Sequence, residues 1–328
     1  ANGSVVTWGR DAFGGNSSAV SRLLTEGVVQ GCATGGAFAV ITNNGSVVTW
    51  GDPERGGDSS AVASLLTEGV VQIVATDAAF AAIKDDGSVL SNGSVVTWGD
   101  AFFRFSLLAI APLLATGVVH ICATSVHAFA AFNANGSLVT WGSRFFGGDS
   151  SKVAPLLTEG VVQACGTNTA CAALKIDGSV VTWGNDKEGG DSSQVATLLT
   201  EGVVEVYSNY RAFVALKADG SVVSWGETSW PTLVIKHLSD VVQVCGAGGA
   251  FAAIRSGGSV VTWGDDWGGD SSEVAALLTE GVVQICGGEM AFAAIKADGS
   301  VVSWGNLRFG GDSSAVASLL TEGVTAIF

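Results

Sequence analysis

The phrase Gly-Ser-(Val/Leu)-Val-(Thr/Ser)-Trp-Gly occurs eight times in this chain, with its Trp at positions 8, 50, 98, 141, 183, 225, 263 and 304. Successive Trp residues are 42, 48, 43, 42, 42, 38 and 41 positions apart. A unit repeated at this period is one supersecondary element that cannot bury its apolar faces alone, so stacked neighbours supply the core. The longest gap has a visible cause: Gly87-Ser88-Val89-Leu90-Ser91-Asn92 partly duplicates the phrase before Gly93. Repeats therefore begin near residues 3, 45, 93, 136, 178, 220, 258 and 299 of a single domain spanning 1–328.

One unit is legible between Gly281 and Gly305. Val282–Cys286, Ala291–Lys296 and Ser300–Trp304 are short, apolar runs bounded by Gly, the pattern of strands covered on both faces. Asp298-Gly299 between the last two predicts a hairpin with a primed turn. The remainder, Gly-Gly-Asp-Ser-Ser-x-Val-Ala-x-Leu-Leu-Thr-Glu-Gly, predicts a short outer helical segment. There Asp-Ser-Ser supplies capping oxygens and Gly closes the far end. Three such strands bury both faces only by packing face to face around an axis, which predicts an all-β propeller. Eight Trp-Gly strands stand against seven Ala-Phe-Ala-Ala strands. Seven blades follow if Ser4–Gly9 and Gly323–Phe328 meet at the closure; a ring of eight with an incomplete split blade is the alternative.

These residues resemble the repeat superfamily of the regulator of chromosome condensation 1 (RCC1). Its unit also places a Gly-x-Val-x-x-Trp-Gly strand after an apolar Ala-rich one, and the likeness covers essentially the whole chain. The short unit is closer to the compact repeats of β-lactamase inhibitory protein II than to the longer repeats of the exchange factor. The family's Gly-Gln-Leu-Gly is replaced by Gly-Gly-Asp-Ser-Ser, as at Gly56–Ser60 and Gly189–Ser193, and the long wedge of the nucleotide-exchange members has no counterpart. The resemblance implies seven blades and binding through surfaces, and transfers no catalytic residue.

The charge of −15, from 30 Asp and Glu against 15 Lys and Arg, disfavours nucleic acid and suits solubility or a basic partner. From Phe105 to Ser143 no charged side chain occurs, but Pro112 and Gly117 interrupt the apolar run, so it is read as blade plus an unusual loop and not as a membrane span. The chain opens inside a repeat at Ala1-Asn2-Gly3-Ser4, which leaves the compartment unread. Five of six cysteines (32, 122, 165, 245 and 286) share one repeat position and Cys171 replaces a strand Phe. They are read as small buried hydrophobes, unpaired, in keeping with a reducing compartment. Three scattered histidines, 120, 127 and 237, compose no catalytic constellation, and neither metal nor cofactor motifs occur. The Asp of Gly-Gly-Asp-Ser-Ser is read as a cap, the repeated Trp as blade core, and Asn-Gly-Ser as turns.

Positions that differ between near-identical repeats are free of the shared folding requirement. One variable segment follows Trp-Gly and includes Phe145, Phe146, Trp267, Arg308 and Phe309; another precedes the second strand and includes His127, Tyr210 and Arg211. Aromatic residues and Arg are the types enriched at interface hot spots. Two repeats diverge most. In the third, Phe102, Phe103, Arg104, Phe105, Leu107, Leu108 and Ile110 make an apolar loop, and in the sixth Trp230 stands in a shortened segment. These residues are the expected partner contacts, with Phe102–Ile110 foremost. The expectation is a non-enzymatic protein–protein interaction scaffold, a peripheral subunit of a larger complex, membrane-associated complexes included. Alternatives are a proteinaceous enzyme inhibitor, a carbohydrate-binding propeller and a guanine-nucleotide exchange factor.

Overall fold

The computed structural model describes residues 2–85, 94–100, 110, 112–115, 117–227, 238–265 and 268–327. Its contacts divide into two compact units, Ala1–Ala164 and Cys165–Phe328. Seven three-stranded antiparallel sheets follow one another along the chain, each with its strands in sequence order. They are numbered here as blades 1 to 7 and span residues 28–51, 70–99, 118–142, 161–184, 203–226, 241–264 and 282–305. The architecture is all-β, a succession of seven propeller-type three-stranded blades.

The second strand is the buried one. Ala79–Lys84 is covered on both faces up to its terminal Lys, and Ala170–Lys175 and Ala250–Arg255 repeat the pattern. Small Ala side chains let the next blade approach closely. In blade 1, Ala37, Ala39 and Ile41 pack against Phe80 and Trp98 of blade 2. Blade 2 presents Ala79, Ala81 and Ile83 to Phe129 and Trp141 of blade 3. Within residues 165–328 the same register recurs, with Ala250, Ala252 and Ile254 on Phe292 and Trp304.

The Trp of the third strand stands across from the Phe of the second and stacks on it, as in Phe213–Trp225 with ring centroids 5.2 Å apart. Its indole N–H is also used: Trp50 Nε1 donates to the Gly14 carbonyl at 2.9 Å and Trp225 Nε1 to that of Gly189 at 3.1 Å. Each of these bonds ties a blade to the turn of the one before it. A bulge at the start of each first strand, as between Val28 and Gln30, turns the second Val outward, so that Val29, Val71, Val204 and Val283 are exposed.

The hairpin turn differs from the primed type expected. In Lys175–Ser179 the amide of Gly178 donates to the Lys175 carbonyl and that of Lys175 to the Ser179 carbonyl, both at 2.9 Å. Gly178 has φ 77°, whereas Asp177 does not enter the left-handed region. One positive φ, at the end of the loop, is the longer hairpin connection with a bulge rather than a two-residue primed turn. Asp177 instead accepts the Ser179 amide through Oδ1 at 3.0 Å. Gly is required at 178 because a Cβ there would lie 2.6 Å from the Gly202 nitrogen.

The outer segment forms 3-10 helix, for example Ser60–Leu65 and Ser193–Leu198. Asp58 accepts the Ser60 amide at 2.8 Å, the expected use of this Asp. Ser59, at the cap position, makes no capping bond; its hydroxyl lies 3.0 Å from that of Thr49 and fastens the segment to the third strand.

Three expectations are corrected. The terminal pieces 4–9 and 323–327 contain no strand. Trp8 is not blade core but 83% exposed, and among the described residues no strand pairs with it. Cys32, Cys122, Cys165, Cys245 and Cys286 are half-buried, only Cys171 being fully enclosed, and none of the six is joined in a disulfide. Burial pushes the Cys32 and Cys122 thiols up to about 12, which keeps them protonated and unreactive. The duplicated stretch Gly87–Asn92 lies outside the described residues, as does His237. Among the described residues, no helix is long and apolar enough to cross a membrane.

Candidate interaction surface

The two variable segments of each blade are held together by one backbone hydrogen bond. The amide following Trp-Gly donates to the carbonyl just before the second strand: Asp52 to Gly36 at 2.9 Å, Asp100 to Ala78 at 3.0 Å, and Ser143 to His127 at 2.9 Å. In the second unit Asn185 reaches Thr169 at 3.0 Å, Glu227 reaches Arg211 at 3.0 Å, Asp265 reaches Gly249 at 3.2 Å, and Asn306 reaches Met290 at 2.9 Å. The loops before the second strand are also coupled from blade to blade. Gly35 donates to Asp77 (2.8 Å) and Asp77 to Val126 (3.0 Å); separately, Asn168 donates to Tyr210 (2.9 Å) and Tyr210 to Gly248 (2.8 Å). Among the described residues, the two variable segments of each blade are thus joined by a backbone bond, and further bonds link the loops of blades 1 to 3 and of blades 4 to 6.

The segment after Trp-Gly is a single 3-10 turn in blades 1, 3, 4 and 7: Pro53–Arg55, Arg144–Phe146, Asp186–Glu188 and Leu307–Phe309. In blades 1, 4 and 7 a side-chain oxygen at its start, Asp52 Oδ1 (2.9 Å), Asn185 Oδ1 (3.0 Å) or Asn306 Oδ1 (2.9 Å), accepts the amide two residues on, whereas Ser143 of blade 3 makes no such bond; a left-handed Gly closes all four. The first two residues of each of these turns are exposed, whereas the third, Arg55, Phe146 or Glu188, is half-buried in blades 1, 3 and 4. Phe145 is 68% exposed with the Arg144 guanidinium 4.7 Å from its ring centroid. Phe13 and Phe309 are exposed as well, as is Arg308.

Other members lie deeper. Phe146 is half-buried and meets His127 edge to face, centroids 4.7 Å apart, while its carbonyl accepts the Ser125 hydroxyl at 2.6 Å. Tyr210 is partly exposed; its phenol is pushed up first by burial and then by the Glu289 carboxylate. Arg211 Nη1 lies 3.3 Å from Glu227 Oε1. In the first unit a cavity of about 670 Å³ opens on this surface, lined by Asp52, Glu54, Asp77 and Asp100 together with Arg55 and His127. Arg55 Nη1 bonds Asp77 Oδ2 at 2.8 Å, so the lining carries an excess of negative charge. Among the described residues no group of His, Cys, Asp or Glu is placed to hold a metal ion.

Phe145, Phe146, Arg308 and Phe309 lie on the turns after Trp-Gly, and Tyr210 and Arg211 on a loop before a second strand. Ile110 lies on neither: it is half-buried and packs with Leu114 and Trp141 in the core of blade 3. Phe102, Phe103, Arg104, Phe105, Leu107, Leu108, Trp230 and Trp267 lie outside the described residues. Sequence comparison missed the hydrogen bonds joining the two segments, since backbone pairing leaves no mark on residue identity. It also missed the exposure of Trp8, whose signal was the excess of one Trp-Gly phrase over second strands.

No family model matches this sequence, and no curated protein is similar to it in sequence. Similar solved structures include the CRINKLY WD40 ectodomain of the Arabidopsis thaliana receptor kinase ACR4, with TM-score 0.44 and 15% identity over 86% of this chain and 95% of that one. Another is Prp20p from Saccharomyces cerevisiae, described with its binding to Gsp1p and histones, with TM-score 0.43 and 14% identity over 85% and 72%. Yeast RCC1 (Prp20) bound to Kap60 gives TM-score 0.46 and 15% identity over 85% and 70%. None of these likenesses bears on function.

Proposed function

We propose that this chain is a protein-interaction scaffold that recognises its partner through the turns after Trp-Gly and the loops bonded to them. The observation that supports this reading is that, among the described residues, the two variable segments of each blade are hydrogen-bonded side by side with exposed Phe, Tyr and Arg on them, while the repeated residues fill the core. Exposed Phe145, Phe309 and Leu307 offer apolar anchors, and the acidic cavity suits a partner with Lys or Arg at the contact. Among the described residues, exposed apolar side chains and ion pairs on these turns are chemistry suited to binding a protein surface. Membership of a larger complex, membrane-associated ones included, is the finer form of the same proposal. A lectin with one Trp site per blade has less support, since seven of the repeated Trp residues are no more than 9% exposed.

The test compares wild-type chain with a Phe145→Ser, Phe309→Ser double variant in binding to partners recovered from the native source. The proposal expects affinity for the recovered partner to fall at least about tenfold with the melting temperature unchanged. It also expects weakening as salt rises from 0.05 to 0.5 M, about a threefold shortening of the screening length. Undiminished, salt-independent binding by the double variant would count against it.

A further inference from the structure

Exposed apolar side chains are not confined to the variable turns. The phrase Leu-Leu-Thr-Glu-Gly-Val-Val, which leads from the outer segment into the first strand, stands at 198–204 and 277–283. Its second Leu and first Val are core: Leu199, Val203, Leu278 and Val282 are buried. Its first Leu and last Val are not. Within residues 165–328, Leu198, Val204, Leu277 and Val283, with the corresponding Val242 of blade 6, are each 50–59% exposed. Register shifts between Val203 and Glu205, Val241 and Gln243, and Val282 and Gln284 accompany this outward turn of the second Val. A bulge re-aims the side chain it carries, and the same device recurs on three successive blades. An isolated surface Val or Leu needs no explanation, whereas a set repeated in this way does.

These residues stand at the end of the blades remote from the variable turns. Val203, Val241 and Val282 pair with Lys217, Arg255 and Lys296, the last residues of the second strands. Lys217 Nζ donates to the Leu198 carbonyl and Lys296 Nζ to the Leu277 carbonyl, both at 3.0 Å, which sets each exposed Leu beside its blade's cation. The first strands of blades 5, 6 and 7 adjoin one another, so the set repeats side by side.

The same end carries both signs of charge on every blade. Lys217 attracts the Asp219 carboxylate and Lys296 that of Asp298. Exposed Glu201 and Glu280 precede the glycines against which these Lys stems lie. In blade 6, Asp240 Oδ1 is 2.8 Å from Arg255 Nη2. A partner of a single charge meets like charge on each blade. A second copy instead offers acids to cations and cations to acids, and its Leu and Val recur at the spacing they must match. An isologous contact meets both demands with one surface. The acidic cavity on the variable surface of the first unit offers no such match to itself.

We propose that this end of blades 5 to 7 is a self-association surface, on which a second copy of the chain docks through the same face. The exposed Leu and Val of the two copies pack together, with Lys217 and Lys296 of one against Glu201 and Glu280 of the other. The proposal goes beyond the interaction surface above and does not depend on it, because the variable turns of these blades stay open to another protein.

The test is sedimentation velocity of the full chain over a concentration series, beside a Val204→Asp, Val283→Asp double variant. A reversible dimer is expected, with self-association at least about tenfold weaker in the variant. Both side chains are exposed, so the variant keeps the wild-type melting temperature. An equal mixture of ¹⁴N and ¹⁵N wild-type chains, joined by a zero-length amine–carboxyl reagent, reads the same contact without substitution. Mixed-isotope links from Lys217 or Lys296 to Glu201 or Glu280 are expected. A monomer at every concentration overturns the proposal and leaves the face to a different occupant. A dimer that the folded double variant retains, or mixed-isotope links gathered on the variable turns, overturns it as well.

Discussion

Eight exposed Asp side chains do the same work at turns in successive repeats. In Asp58, Asp149, Asp191, Asp270 and Asp312 the amide of the Ser two residues on is the chief cause that holds the carboxyl below its usual value. In Asp177, Asp219 and Asp298 the hydroxyl of the corresponding Ser comes first and its amide second. A folded-state value lowered in this way contributes stability that is fully present above the unfolded value of about 3.9 and lost as pH falls through the lower folded values. The melting temperature is therefore expected to stay level from pH 7 to about 5 and to decline below about 4. Replacing several of these residues with Asn keeps an acceptor at each turn and should flatten the decline; scanning calorimetry across pH measures it. Buried aromatics give a larger single-residue effect. Phe213→Ala removes a fully buried ring stacked on Trp225, and should cost about 3–5 kcal/mol in a denaturant titration.

Among the elements, the turn after Trp-Gly does most to link sequence to function, and its closing Gly carries the constraint. Gly189 has φ 103°, and a Cβ there would lie 2.6 Å from the Phe213 ring of the following blade. Gly189→Ala should destabilise by roughly 1–3 kcal/mol, from backbone strain and displacement of that ring. Gly257 has no atom within 4 Å of a Cβ and no positive φ, so Gly257→Ala should be neutral or stabilising by up to about 1 kcal/mol. Parallel urea titrations compare the two. The blades themselves were plain in the sequence, because period, Gly boundaries and β-branched runs all report on one repeated environment. The hairpin type was not, since Asp-Gly serves the primed turn and the longer bulged one alike, and only the φ of Asp177 separates them. Trp8 was misread for a related reason: its phrase is the same as seven others, and the phrase alone does not set its exposure.

At the scale of the whole molecule, repetition fixes the core and leaves the turns free, so the proposed scaffold would recognise a partner by what departs from the repeat. This could be read from the sequence as a set of variable positions, of which Phe145, Tyr210, Arg211 and Phe309 prove exposed, while Phe146 is half-buried and Ile110 is a core contact. Which partner they meet was not legible, because surface chemistry limits a partner's class without naming it. The most direct measurement is cross-linking mass spectrometry on the chain within its native assembly, using amine- and carboxyl-reactive reagents. Lys187, Glu188 and Glu54 lie on the variable turns, whereas Lys175, Lys217 and Lys296 end the second strands at the far end of their blades. The account predicts that links to the partner gather on the first set. Links gathered on Lys175, Lys217 and Lys296, with the variable turns unmodified by any partner, would contradict it.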